Sequence, residues 1–295
     1  MVEHVFGGSW TEAKLARLRA YLNAYRSIFT ENPGASWYTT WYVDAFAGTG
    51  TRTSGELGSG LMDVEEPGTD SEVSQYLEGS AKIALGLSKP FDKYLFIEKS
   101  KARVEALKAM IAIEYPELQS RCEIRQLDAN AAIKSWSRER NWKKERAVVF
   151  LDPYGMQVDW ATVKLLGDTN AVDLWYLFSL SGVIRMLTRD GVIEESWQKR
   201  LDNVFGTTDW RERFYTIHTE TNLFGDQDVM RRDATVKNVQ SYIEERLSTS
   251  FVAVAPSLAL HNSRSFPLFA LCFAASNQKG AKTALRIATH LLKED

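Results

Sequence analysis

The chain has 295 residues, 44% of them hydrophobic, and a formal net charge of −2. That length and apolar content suffice for a sizeable core. The near-neutral balance excludes a generically sticky polycation but leaves local basic patches open. Two cysteines, Cys122 and Cys272, and four histidines, His4, His218, His261 and His290, show no zinc or redox spacing. No metal is expected, and the cysteines read as small apolar side chains of a reduced, cytoplasmic protein. Met1–Trp10 carries no basic region followed by an apolar stretch, so no signal peptide is expected. The apolar run Ala171–Ile184 is too short for a membrane span and carries Asp173, so no membrane partner is expected either.

In chain order, Thr11–Phe29 reads as an amphipathic helix. Leu15, Leu18, Leu22, Tyr25 and Phe29 recur at helical spacing, with Lys14, Arg17, Arg19 and Arg26 between them. Thr11 is its expected N-cap, and Glu31-Asn32-Pro33-Gly34 ends it. Trp37–Phe46 is an apolar, β-rich run breaking into Gly48-Thr49-Gly50, the profile of a buried strand feeding a tight turn. Residues 51–79 form an acidic, glycine-rich insertion loop. Ser80 then caps a helix over 81–87, and Tyr94–Ile97 is a second strand ending at Glu98. Ser100 opens a helix, Lys101–Tyr115, stopped by Pro116. A third strand, Cys122–Leu127, ends at Asp128 and precedes a helix over Ala131–Arg140. A fourth, Ala147–Leu151, ends at Asp152-Pro153, and Val172–Leu180 is a fifth. Strands alternating with helices imply a mostly parallel α/β sheet covered by helices on both faces. Residues 185–247 read as a charged helical insertion. Two strands follow, Phe251–Ala255 and Leu268–Ala274, and a helix over Gly280–Lys293 completes the terminal segment 251–295. One domain over 1–295 is expected.

Ligands of open α/β sheets bind outside the carboxyl ends of the strands. Polar groups stand at four consecutive strand ends: Asp44 through Gly50, Glu98, Asp128 and Asp152-Pro153-Tyr154. Gly48 and Gly50 let the backbone turn sharply and approach a ligand closely. Thr53 occupies the third place of a Gly-x-Gly-x-x-Gly loop and no Gly-Lys-Ser/Thr follows, so neither phosphate-binding pattern is met. The glycines alone fit an ordinary turn equally well. With Asp44, Phe46 and Ala47 they suit a cationic methyl donor, whose sulfonium and amino group an acid attracts. Glu98 can accept both ribose hydroxyls, or it is a solvated charge opening a helix. Asp128 with Ala129 can receive an adenine amine, cap the next helix, or do both. Asp152-Pro153-Tyr154-Gly155 is chemically pointed. A carboxylate and a carbonyl held rigid by proline can accept the two hydrogens of an exocyclic amine, and an aromatic ring can stack on a flipped base. In isolation the same residues fit a type I turn.

Taken together, Asp44-Ala45-Phe46-Ala47-Gly48-Thr49-Gly50 resembles motif I of class I S-adenosylmethionine-dependent methyltransferases. Asp152-Pro153-Tyr154 is similar to the Asp-Pro-Pro-Tyr motif of amino-methyltransferases. A narrower resemblance is to the three-Cys-motif partner (TcmP) proteins. It is carried by Trp10-Thr11-Glu12-Ala13-Lys14 with Leu18 and Tyr21-Leu22, by Gly79-Ser80-Ala81, by Phe150–Gly155, and by Phe273-Ala274-Ala275-Ser276-Asn277. The resemblance implies a Rossmann-like class I methyltransferase fold, S-adenosyl-L-methionine as cofactor, and a separate protein partner bearing a three-cysteine motif. There are two departures. Gly50 to Glu98 is far longer than the roughly twenty residues expected after a nucleotide-binding turn, which the 51–79 insertion accounts for. The second proline of Asp-Pro-Pro-Tyr is absent, and Asp-Pro-aromatic-Gly also resembles the tRNA guanine-N2 methyltransferases.

Lys134–Arg146 interleaves basic residues with Trp136 and Trp142, and Arg138 and Arg185 stand among further cations. Such a mixture can neutralise phosphates and stack bases, so Trp136, Arg138, Arg185 and Tyr154 are candidate substrate contacts. Buried tryptophans on a solvated helix end fit the stretch somewhat better, and neighbouring acids dilute the charge around Arg185. The expected function is N-methylation of an exocyclic amine on a DNA or RNA base. A non-catalytic methyltransferase-like scaffold acting with a three-Cys-motif partner is the alternative from another class. A nicotinamide-dependent oxidoreductase is disfavoured by the missing third glycine.

Overall fold

The computed structural model describes residues 9–47, 79–222, 225–262 and 264–293. Gly48, Gly50 and residues 51–78 of the expected insertion loop lie outside them. Where one domain was expected, the chain divides into two compact units. Met1–Ala132 with Lys144–Phe150 makes one, and Ile133–Lys143 with Leu151–Asp295 the other.

In the first unit, α1 runs Ser9–Glu31, α2 covers residues 79–85, and α3 spans Lys101–Glu114. The strands are β1 Thr39–Asp44, β2 Lys93–Ile97, β3 Cys122–Arg125 and β4 Glu145–Leu151. Helix α4, Ala129–Arg138, follows β3. Strand β1 pairs in parallel with both β2 and β4, and β2 with β3. Phe91 gathers the core aromatics, with ring centroids 5.7 Å from Tyr25, 5.9 Å from Tyr42 and 6.0 Å from Tyr94.

Helix α1 corrects two expectations. Thr11 lies inside the helix rather than capping it. Lys14 and Arg26, placed with the polar residues by spacing, are buried at 0% and 5% exposure. Arg26 is held there by partners: its guanidinium bonds Thr40 Oγ1, reaches the Lys89 carbonyl at 3.4 Å and lies 3.7 Å from Asp92. Burial lowers its pKa, partly opposed by the Asp92 charge.

In the second unit, α5 is Trp160–Asp168, a helix the sequence pattern did not reveal, and β5 is Val172–Ser179, buried throughout. Then come α6 Leu180–Met186, α7 Glu195–Phe205 and α8 Trp210–Phe214. The 185–247 segment is not wholly helical. β6 Tyr215–Asn222 and β7 Gly225–Arg232 form a separate antiparallel hairpin before α9, Val236–Ser248. The reason is local: Thr216, Ile217, Thr219 and Thr221 are β-branched and fit a pleated ribbon better than a helix. Phe205 joins these helices, its ring 5.8 Å from Phe178, 5.9 Å from Phe214 and 5.0 Å from Tyr242.

The terminal segment holds three strands rather than two, β8 Ala253–Val254, β9 Leu258–His261 and β10 Pro267–Ala275, and then α10 Ala281–Leu291. Strand β10 pairs antiparallel with β5, β8 and β9. The main sheet has the order β3-β2-β1-β4-β5-β10-β8, with β9 also on β10. This is an α/β fold with a parallel 3-2-1-4-5 core and an antiparallel strand beyond it, the sheet of class I methyltransferases.

Candidate functional site

The reversal of strand order on either side of β1 puts a crevice at the carboxyl ends of β1 and its neighbours. The chain leaving β1 is bracketed there: Ala45 N–H donates to the Phe150 carbonyl at 3.1 Å, and Ala47 N–H to the Ile97 carbonyl at 2.9 Å. The end of β2 is thereby held beside Ala47. Phe46 and Ala47 are buried.

Asp44 closes β1 at 1% exposure. Its Oδ2 accepts from the Ser80 hydroxyl at 2.7 Å and lies 3.5 Å from the Tyr42 hydroxyl, and its Oδ1 accepts from Phe46 N–H at 3.3 Å. The last contact is the side-chain-to-backbone bond of a turn made by an aspartate two residues ahead. Asp44 therefore shapes the loop from within. Ser80 was read from sequence as a helix cap; α2 already includes it, and its hydroxyl serves Asp44 instead. The short Gly79-Ser80 sequence gave no signal of that long-range bond.

Glu98 follows β2 at 3% exposure. Its N–H donates to the Arg125 carbonyl of β3 at 3.1 Å. Oε1 accepts from Ser100 N–H at 2.6 Å and has Arg103 Nη1 at 3.7 Å, whereas Oε2 is buried with no hydrogen-bond partner among the described residues. Burial raises the carboxyl pKa, against the opposing pull of the Ser100 amide and the Arg103 charge. A buried acceptor left unpaired costs about 1–3 kcal/mol, more when charged, so this oxygen is a built-in place for a hydroxyl donor. The solvated-charge reading of Glu98 is corrected by its burial. Arg103, one turn into α3, was not singled out from sequence.

Asp128 is exposed three residues after Arg125, the last residue of β3. Its Oδ1 accepts from Ala131 N–H at 3.1 Å and its carbonyl from Ala132 N–H at 2.9 Å, the pattern of an N-cap on α4. Helix α4 thus begins at Ala129, which is buried, rather than at Ala131.

In the second unit, Asp152 directly follows β4 and is 6% exposed, with Pro153 buried after it. Tyr154 is 53% exposed, and Gly155 turns the chain at φ +74°. Trp136 does not present a stacking face: it has 0% exposure and packs edge-on against Trp142 at 5.3 Å and 78°. Helical spacing explains it, because Ala132, Ile133 and Trp136 share the buried stripe of α4. Its place among the substrate contacts is corrected on that ground. Arg138 and Arg185 are both exposed. Among the described residues, no group of three His, Cys, Asp or Glu could hold a metal ion, and no helix is long and apolar enough to cross a membrane.

Neither a protein-family model nor a curated protein matches the sequence. Solved structures are similar at low identity. A putative S-adenosylmethionine-dependent methyltransferase from Listeria monocytogenes is 12% identical over 88% of this chain and 98% of its own, with a TM-score of 0.40. The protein LPL1258 from Legionella pneumophila is 13% identical over 84% and 94%, with a TM-score of 0.39. The glycopeptide N-methyltransferase MtfA, solved with S-adenosyl-L-homocysteine, is 11% identical over 86% and 89%, with a TM-score of 0.35. The first and third of these are distant structural similarities to methyltransferases. The fold class stands on the chain's own strand order.

Proposed function

We propose that this chain is an S-adenosylmethionine-dependent methyltransferase acting on an exocyclic amine of a nucleic-acid base. The observation that carries the reading is Glu98, a buried strand-end carboxylate with Oε1 held by Ser100 N–H and Oε2 unpartnered. The residues fit the donor. Glu98 Oε2 would accept from ribose hydroxyls, and Asp128 would add an acceptor toward the adenine. Asp44, held by Ser80 and Phe46 N–H, keeps the turn after β1 in shape and lends negative potential. S-adenosylmethionine, when bound, supplies an electrophilic methyl group on a sulfonium centre.

On the acceptor side, Asp152 and the Pro153 carbonyl would accept hydrogen bonds from the two amine hydrogens and so aim the nitrogen lone pair for attack. Tyr154, half exposed, would offer its ring to the base. Alignment rather than acid–base chemistry then supplies most of the acceleration. The narrower TcmP membership and a three-Cys-motif partner belong to this proposal as well.

Calorimetric titration with S-adenosylmethionine, followed by transfer of labelled methyl to total RNA or DNA, tests the reading. Saturable donor binding and base labelling that disappears in Asp152→Ala are expected. A folded protein that takes up no donor sinks it. The altered Asp-Pro-Tyr-Gly motif favours one second reading, a scaffold of the same fold; donor binding without any label transfer would select it.

A further inference from the structure

The start of β1 carries an aromatic–cation stack at the other end of the strand from Asp44. Trp37 stacks on Tyr38, with ring centroids 3.8 Å apart and planes inclined by 28°. The Arg146 guanidinium lies 3.8 Å from the same Tyr38 centroid. Two planar groups at that distance cannot share one face of a ring, so tyrosine is sandwiched between indole and guanidinium. The edge of Phe29 meets Tyr38 from the side at 6.1 Å. The indole N–H donates to the Gly34 carbonyl at 3.2 Å, which fixes the ring in place. Its far face is open: Trp37 is 58% exposed, while Arg146 at the other end of the stack is buried.

The surrounding charge is sorted. Lys144 is exposed and its carbonyl accepts Thr39 N–H at 3.0 Å, one residue from Tyr38. Lys93 is exposed opposite Trp41 in the ladder, its ammonium 5.3 Å from that ring. The nearby acids are tied by hydrogen bonds, although Asp92 itself is exposed beside Lys93. Glu145 accepts the Trp41 indole N–H at 2.6 Å, and Asp92 accepts the Thr40 amide and hydroxyl at 2.8 and 2.6 Å. An open π-face held rigid and flanked by solvated lysines matches one partner chemistry, a base stacked beside a phosphate backbone.

We infer that this edge is a docking surface for single-stranded nucleic acid, with a base on the open face of Trp37 and phosphates against Lys144 and Lys93. A duplex hides its base faces within the stack and cannot offer one. Six residues of β1 at about 3.3 Å each put the platform roughly 20 Å from Asp44, so it anchors a strand without touching the proposed donor site. The inference rests on the proposed function only for its substrate class.

The test is fluorescence anisotropy of a fluorescein-labelled oligo-uridine of about twelve nucleotides with the full chain, against a loop-free two-stranded RNA duplex of the same length. One stacked base contributes about 1–3 kcal/mol, so Trp37→Ala should weaken binding by about five- to hundredfold, and Trp37→Phe should restore most of it. Lys144→Ala should lower the salt slope by about one. Unchanged affinity in Trp37→Ala, equal binding of duplex, or no binding of oligo-uridine at low salt each overturns the platform. Donor titration of Trp37→Ala separates the two readings. It should bind S-adenosylmethionine like the parent, so donor binding without oligonucleotide binding rejects the platform alone. Oligonucleotide binding without donor binding supports the platform and rejects the donor site.

Discussion

Glu98 concentrates the chemistry at the residue scale. Its carboxyl is buried and half-satisfied, so the charged form is disfavoured in the folded chain. Between its ordinary pKa and the raised folded value, the native chain binds a proton that the unfolded chain has released. Its contribution to stability is therefore unpenalised below the ordinary carboxylate range, and the penalty grows with rising pH and is complete above the folded value. Urea midpoints from about pH 4 to about pH 8 should show this component, and Glu98→Gln should flatten it; parallel profiles would reject the burial argument. Donor binding supplies hydrogen bonds to a charged group, worth about 1.5–3 kcal/mol. Glu98→Ala should thus weaken S-adenosylmethionine by about ten- to hundredfold, read by calorimetry. Asp152→Ala should leave donor affinity unchanged and lower kcat by about a hundredfold or more, the scale of lost alignment.

Two glycines at element boundaries make a paired prediction. Gly206 ends α7 at φ +66°, and a Cβ there would come within 2.2 Å of Trp160 Cδ1. Gly155 has φ +74° but nothing within 4 Å of that position. Gly206→Ala combines left-handed strain with overpacking and should cost about 2–4 kcal/mol. Gly155→Ala carries the strain alone and should cost about 1 kcal/mol. Chemical denaturation distinguishes them, and equal losses would contradict the close approach. The elements themselves were unevenly legible. Strands ending in acids stood out because burial on both sides makes apolar runs. Strand β9 and the β6–β7 hairpin did not, because short or solvent-facing strands carry weak periodicity.

For the whole molecule, a ligand that binds only the folded state stabilises it by mass action. A hundredfold excess over Kd contributes about 2.7 kcal/mol. S-adenosylmethionine should therefore raise Tm in a concentration-dependent manner, and Glu98→Ala should cut the stabilisation to about half or less at the same donor concentration. A Tm indifferent to donor in the parent chain would contradict the site.

The order of the first five strands and the acids at or just beyond the ends of four of them were legible in the sequence, because each is written in local spacing or a contiguous motif. Only the tertiary structure decided the rest. It brought Ser80 to Asp44 across 36 positions of chain, left one Glu98 oxygen unpaired among the described residues, and buried Lys14 and Arg26 where helical spacing suggested water. The reason is physical. Periodicity reports which face of an element is apolar, but whether a polar side chain lies in solvent or in the core depends on partners that long-range packing supplies.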